Sequence, residues 1–397
     1  MSLAGIPERR AVWAQASRIL CVRPDNLGDV VMTTPAFHAL KTSGPAGRHL
    51  TLLTSHAGAI AQPHLSDIDS VIACDVPWAK HANTADATQT HALVNMLRDG
   101  HFDAAVIFTV HTQSPLPPAM LAFLAGIPLR LAHCRENPYA LLTDWIADPD
   151  ARIAATAPGD VRHEVRRQLD LICHVVDVPA QLSQRLRFKV LPHDRDAVRA
   201  KLAQQGIGTA APWIVLHPGA TAASRRYPPE RFAHVACTLA QRYSCAVLVT
   251  GAPAEAALVQ QVCAAGIAAG QRVINLAGAF TLGELAALIE GAALLVSNNS
   301  GPVHLAAATQ TPVVDLYALT NPQHTPWAVP HAVLSHDVPC RYCYRSVCPL
   351  GHQACLTGVT EDQVIAAARA LWQPVRVAQA LWPVAPSATP SLAAPVA

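Results

Sequence analysis

Nine short apolar runs, "RILCV", "HLTLLT", "SVIAC", "AAVIFTV", "WIVLHPG", "AVLVTG", "RVINLAG", "ALLVSNNSG" and "PVVDLYA", alternate along the chain with stretches of helical apolar spacing. This βαβ rhythm predicts parallel strands joined by helical crossovers, in sheets covered on both faces. Strands buried on two sides read as continuous apolar runs, and the composition agrees, with 51% hydrophobic and 14% charged residues. The rhythm restarts once. A polar helical stretch, "DRDAVRAKLAQQGIG", separates the two series, and a new strand-loop-helix unit opens at Trp213. The 397 residues suffice for two domains with separate cores. The expectation is an α/β chain with one Rossmann-like domain over residues 1–190 and another over 191–373. A ligand would then sit in the cleft between them, at the carboxyl ends of the strands. The segment 374–397, which ends "WPVAPSATPSLAAPVA", is expected to be a disordered tail.

Several function classes lose support. The net charge is +2 and no basic stripe is interleaved with aromatics, which argues against nucleic acid. The Arg cluster in "VRHEVRRQLD" is read as a solvated helix face with i,i+4 pairing rather than a contact with anionic lipid. The start, "MSLAGIPERRAVWAQAS", lacks the basic segment, apolar core and cleavage site of a secretory signal, so a cytoplasmic location is expected. The uncharged stretch Ala104–Leu129 contains His111, Gln113, Pro115, Pro117 and Pro118. It is read as a buried strand, a loop and a short core helix, not a membrane span. Of eleven cysteines, seven show no spacing pattern, which fits reduced thiols.

Four strand-end loops hold most of the polar residues that suggest chemistry. In "RPDNLGDVVMTTPA", Arg23, Asp25 and Asp29 surround Gly28. In "HPGATAASRRYPPERFA", Gly219, followed by Ala220 and Thr221, lets the backbone approach a ligand, and Arg225 and Arg226 supply positive charge. In "VTGAPAE", Gly251 ends a strand and Glu255 falls in the first turn of a helix. In "SNNSGPVHLAAA", Asn299 precedes Ser300 and Gly301, which offer a helix N-terminus to an anion, and His304 lies one turn further on. Each residue has a bland reading. Asp29 is the N-cap of a helix starting at Val30, or a general base. Arg225 is a surface residue, or a partner for phosphates. Glu255 is a first-turn carboxylate favoured by the helix dipole, or an acceptor for hydroxyls. His304 is a packed or capping residue, or a neighbour of a bound anion.

Taken together, "NLGDVVMTTPA", "HPGA" followed by "RRYPPERF", "TGAPAE" and "NSGPVHLAAATQTPVVDLYALTNP" resemble glycosyltransferase family 9, the group containing the ADP-heptose:lipopolysaccharide heptosyltransferases, over roughly residues 17 to 372. The resemblance implies a GT-B fold, with an acceptor-side first domain and a second domain that binds the nucleotide sugar. It implies inverting transfer of heptose from ADP-heptose to a sugar hydroxyl of a lipopolysaccharide inner core or related glycan, without a cofactor for the transfer. A lipid-linked acceptor would bring peripheral contact with the inner membrane face. Asp29 matches the family's general base, and Arg225 falls where the family usually has a Lys on the donor phosphates. The donor-binding set implied is Gly28, Gly219, Ala220, Thr221, Glu255, Asn299, Ser300, Gly301 and His304. Asn299 replaces the family's usual Asp, keeping an acceptor oxygen but losing the charge, which bears on the donor sugar. Two rival readings stay open: transfer to a protein or another acceptor, and a nucleotide-sugar-binding relative without turnover.

Cys340, Cys343, Cys348 and Cys355 are spaced C-x2-C-x4-C-x6-C. Four thiolates are the tetrahedral set for zinc or a mononuclear iron, although the second pair is wider than a zinc ribbon needs. A structural metal and reduced, packed or redox-active thiols both remain as readings. In either, the loop is expected to stand apart from the transfer step.

Overall fold

The structure, a computed structural model, describes residues 6–79, 86–148, 162–208 and 211–372; the expected tail at 374–397 lies outside these. Two six-stranded sheets carry the fold. The first comprises β1 (Arg18–Arg23), β2 (His49–Thr54), β3 (Ser70–Ala73), β4 (Ala104–Ile107), β5 (Leu129–Cys134) and β6 (Asp144–Ala147), in the order β3-β2-β1-β4-β5-β6. The second comprises β7 (Trp213–His217), β8 (Ala246–Gly251), β9 (Val273–Ala277), β10 (Leu294–Asn298), β11 (Val313–Leu316) and β12 (His331–Leu334), in the order β12-β11-β10-β7-β8-β9. Every pairing is parallel, with Ile19 opposite both Leu50 and Ala104, and Val215 opposite both Leu248 and Leu295. Both sheets thus have the doubly wound order whose switch point lies between the first and fourth strands. Crevices open there, beyond the carboxyl ends of β1 and β4 and of β7 and β10.

All nine predicted runs are strands. The three others are β5, where Arg130 and His133 interrupt the apolar pattern, and the four-residue edge strands β6 and β12. Arg130 is accommodated because its guanidinium bonds the carbonyls of Leu141 (2.7 Å) and Ala140 (2.9 Å), so the charged head is fully partnered beside the sheet.

The helix Leu27–Thr42 buries nearly its whole circumference, from Val30 to Phe37 and again at Ala39 and Leu40. A helix apolar all round needs cover on every side. It packs on helix Glu164–Val175 within its own lobe and on helix Gly301–Thr309 of the other. One apolar cluster therefore runs from Val30 and Phe37 through Val303 and Leu305 to Trp213. The polar stretch between the two series forms the helix Pro192–Gln204, which packs on helix Leu282–Gly291. There Arg195 makes a bidentate pair with Glu290 at 2.6 and 2.8 Å.

The "VRHEVRRQLD" segment departs from its reading as a solvated face. The i,i+4 pair Arg166–Asp170 is present at 2.9 Å, but Glu164, Arg167 and Gln168 are buried. Buried charge is tolerated there because it is paired: Arg167 donates to Asp148 at 2.7 Å and Glu164 accepts from Arg23 at 2.9 Å. Among the described residues no helix is long and apolar enough to cross a membrane.

Candidate active site

β1 runs inward until its last residue, Arg23, is completely buried. The guanidinium is compensated three ways: Nη2 lies 2.9 Å from Glu164 Oε1 and 3.6 Å from Asp29 Oδ1, and Nε lies 3.3 Å from Asp25 Oδ2. Asp25 also accepts from Gln113 Nε2 at 2.6 Å, which ties the loops after β1 and β4 together across the switch point. The N-cap of helix Leu27–Thr42 is Asn26, so the helix starts earlier than expected and Asp29 is not its cap. Asp29 sits in the first turn, where its side chain faces a cavity. Burial pushes the Asp29 carboxyl above the usual range; Arg23 and Arg225 oppose this and Glu164 adds to it. Burial likewise lifts Asp25 to about 6 against the pull of Arg23. Glu164, beside both Arg23 and Arg167, goes the other way, to about 2 despite its burial.

The second lobe supplies the opposing wall. After β7 the chain passes Gly219, where an added Cβ would lie 2.3 Å from Glu255 Oε2; only glycine lets that carboxylate lie against the turn. Glu255 is held by the Ala252 N–H at 2.9 Å. Arg225 ends the short turn Ala223–Arg225, and its side chain forms no hydrogen bond or ion pair among the described residues. Its charge nevertheless acts on Asp29, His304, Asp315 and His324. After β10, Ser300 caps helix Gly301–Thr309 without a side-chain cap bond, its Oγ turning instead to the Gly219 carbonyl at 3.2 Å. Desolvation keeps His304 and His324 neutral, at about 3 and about 4. Gly28 is a point of close approach between the lobes, since a Cβ there would come within 2.9 Å of His304 Cδ2.

Three adjoining cavities follow from this arrangement. One of about 380 Å³ lies over β7–β9, with Gly219, Glu255 and Ser300 on one side and Leu276, Phe280, Leu282 and Leu285 on the other. One of about 290 Å³ is shared by both lobes and holds Gly28, Asp29, Arg225, Asn299, Gly301 and His304. One of about 480 Å³ opens into the first lobe past Asp25, Trp78, Phe108 and Gln113. Ala220, Thr221, Ser300 and Gly301 line the first two, while Asp29, Arg225 and His324 line the last two. The eleven residues expected in catalysis and donor binding are thus brought to one cleft.

The Cys-rich loop differs from expectation in two ways. Burial raises the Cys355 thiol, the nearby Cys340, Cys343 and Cys348 add to it, and Cys340 Sγ is 4.0 Å from His352 Nε2. Yet among the described residues no group of three or more His, Cys, Asp or Glu is disposed to hold a metal ion, and all four cysteines are free thiols. Cys348 points instead into the backbone N–H groups of residues 350–353, which lower its pKa, while Cys355 is tucked against the core. The four sulfurs therefore do not fit a metal as arranged. Nor does the loop stand apart: Tyr344, Arg345 and Ser346 line the largest of the three cavities. Backbone bonds pin it there, from Ser224 N to Ser346 O at 3.1 Å and from Tyr344 N to Thr320 O at 2.7 Å.

Sequence reasoning passed over Glu164, Gln113, His324 and the Tyr344–Ser346 segment. Only the sequence proximity of Arg23 and Asp25 to Asp29 signalled the first of these networks.

The sequence profile of glycosyltransferase family 9 (heptosyltransferase) matches residues 90–354. The lipooligosaccharide heptosyltransferase 2 of Haemophilus ducreyi is 26% identical over 359 residues, covering 88% of this chain and 97% of its own. Lipopolysaccharide heptosyltransferase 2 of Escherichia coli K12 is also 26% identical, over 78% of this chain and 85% of its own. Among solved structures, a family 9 glycosyl transferase from Veillonella parvula superposes with a TM-score of 0.72 at 22% identity, covering 90% of this chain and 97% of that one. The E. coli ADP-heptose lps heptosyltransferase II superposes with a TM-score of 0.68 at 22% identity, over 89% and 98%. The two facing doubly wound sheets are the GT-B architecture of these structures. With more than half of its length matched by the profile, the chain belongs to glycosyltransferase family 9, the heptosyltransferases, and is a glycosyltransferase.

Proposed function

We propose that this glycosyltransferase moves heptose from ADP-heptose, with inversion, to a sugar hydroxyl of a lipopolysaccharide inner core. The observation that carries the reading is the continuous run of three cavities that faces Asp29 across to Arg225. The relatives' names supply the donor and acceptor class. In this reading the apolar wall Leu276–Leu285 takes the adenine, Glu255 accepts from ribose hydroxyls, and the backbone from Gly219 to Thr221 and at Ser300–Gly301 meets the diphosphate. Arg225, free of protein partners, is the cation for the departing ADP.

Asp29 is then the general base. It takes the proton of the acceptor hydroxyl as that oxygen bonds the anomeric carbon, while the bond to the ADP oxygen breaks on the Arg225 side. Its raised pKa makes it a stronger base than a free carboxylate. The acceptor enters through the first-lobe cavity, between Trp78, Gln113 and the Tyr344–Ser346 wall.

The test is ADP release from ADP-heptose, with and without a heptose-truncated core acceptor. Asp29→Asn is expected to lower turnover by about 10²-fold or more with donor affinity nearly intact. Turnover near wild type would reduce Asp29 to a structural residue of the first helical turn.

A further inference from the structure

Asn299 carries a polar side chain into the middle cavity, yet it is only 5% exposed, because its amide is tied down from behind. Nδ2 donates to Asp315 Oδ2 at 3.0 Å and to the His324 backbone carbonyl at 2.9 Å. A backbone carbonyl can only accept, so it fixes which end of the amide is nitrogen. Both hydrogens are spent, and the atom left over is Oδ1. Toward the cavity Asn299 therefore offers lone pairs alone, the hydrogen-bonding character of a carboxylate oxygen without the charge.

Asp315 is what needs explaining. It lies in β11 between Val314 and Leu316, both fully buried, and opposite Ser297 of β10. Its own carboxyl is completely buried, and Oδ1 has no hydrogen-bond partner among the described residues. The sheet would be better satisfied by an aliphatic residue, and a buried group that breaks a packing rule points to use elsewhere. Its one side-chain bond goes to Asn299. Burial lifts it to about 8 against that bond and Arg225, so it is neutral at pH 7 and adds no charge beside the diphosphate.

We propose that Asp315 is a positioning residue that clamps the Asn299 amide with Oδ1 toward the cavity, where it accepts a hydrogen bond from a hydroxyl of the donor sugar. The pair sets how much the sugar, as distinct from the nucleotide, contributes to donor binding. This rests on the reading of the middle cavity as the site of the transferred sugar.

The experiment compares dissociation constants for ADP and for ADP-heptose, ADP-glucose and ADP-ribose in wild type, Asp315→Ala and Asp315→Asn. In wild type an ADP-sugar is expected to bind tighter than ADP. In Asp315→Ala the amide keeps only the His324 carbonyl and is held less firmly, so that advantage is expected to shrink about tenfold while ADP affinity stays within about twofold. Asp315→Asn retains an oxygen to receive Nδ2 and is expected to restore most of the advantage. A merely structural role would weaken ADP and ADP-sugar alike, or neither, and Asp315→Asn would show no selective rescue; either result overturns the clamp. If ADP-glucose or ADP-ribose proves to be the favoured ligand, the heptose reading falls and the clamp is judged on that sugar. If no ADP-sugar outbinds ADP in wild type, both fall.

Discussion

Replacing Arg23 by Met keeps the length of the side chain and removes the one cation that faces three carboxylates. Glu164, Asp25 and Asp29 lie 2.9, 3.3 and 3.6 Å from its nitrogens, and the guanidinium is fully buried. At an effective dielectric of about 20, each contact represents ~5 kcal/mol of attraction, largely offset by desolvation of the ions. Losing one partner of such a buried group typically costs ~3–5 kcal/mol, since the remaining charges are left uncompensated. In a lobe of this size that corresponds to a melting temperature lower by about 10 °C. The pH dependence distinguishes this from a packing defect. In wild type Glu164 is held at about 2, below its unfolded value, so its contribution is present above that value and fades only as pH falls toward 2. Without Arg23, burial lifts Asp25 and Asp29 further above their unfolded values, and Glu164 is left with Arg167 and Gln168. The resulting penalty exists at high pH and is relieved as the carboxylates take up protons. The gap in melting temperature between wild type and Arg23→Met is therefore expected to be large at pH 7.5 and clearly smaller at pH 5.5, by calorimetry. A gap that stays constant, or widens on acidification, would refute charge compensation as the role of Arg23.

Four further outcomes follow from the same geometry. Asp29→Asn is expected to raise the melting temperature at pH 8. An acid whose folded pKa lies above its unfolded one disfavours folding once ionised, so the gain should vanish near pH 4. Arg225→Ala is expected to weaken ADP binding by about tenfold and Arg225→Lys to recover much of it; equal affinity in wild type and the Ala variant would remove Arg225 from the phosphate site. Gly28→Ala forces a Cβ to within 2.9 Å of the His304 ring and is expected to impair donor binding more than stability; unchanged donor binding would contradict the inter-lobe contact. Limited alkylation at pH 7.5 is expected to label Cys348 first, because backbone N–H groups lower its pKa and it is accessible. Labelling accelerated by a chelator would show a metal on that thiol.

The strand rhythm made the architecture legible because parallel strands covered on both faces leave no polar alternation to blur them. What stayed hidden was the pairing of charges distant in sequence. Arg23 and Glu164 are 141 residues apart, and neither run of residues hints at the other. A cluster of arginines with an acid nearby reads as a solvent-facing helix unless the sheet that buries it is known. The same limit misplaced the Cys-rich loop: 115 residues separate Arg225 from Cys340 along the chain, yet the Ser224 N–H bonds the Ser346 carbonyl. The helix boundary failed for a local reason. Asp after Gly resembles a cap, but the turn begins three residues earlier at Asn26.

The buried charges also set the proton affinities of Asp29 and its neighbour Glu164 apart. Both see Arg23, and both are desolvated. Glu164 has in addition Arg167 at 3.8 Å and a Gln168 amide at 2.7 Å, which favour its ionised form and hold it far below neutral pH. Asp29 is the more strongly affected by burial, which Glu164 reinforces and which its longer contact to Arg23, the Arg225 charge and the Asn26 backbone only partly oppose. The network thus spends Arg23 mainly on Glu164, and the fixed negative charge of Glu164 then raises the proton affinity of Asp29. Glu164→Gln should consequently lower the acidic limb of kcat/KM, since the repulsion disappears while Arg23 turns more fully to Asp29. A limb that moves up in pH would show that Glu164 acts on Asp29 through Arg23's position rather than through its charge.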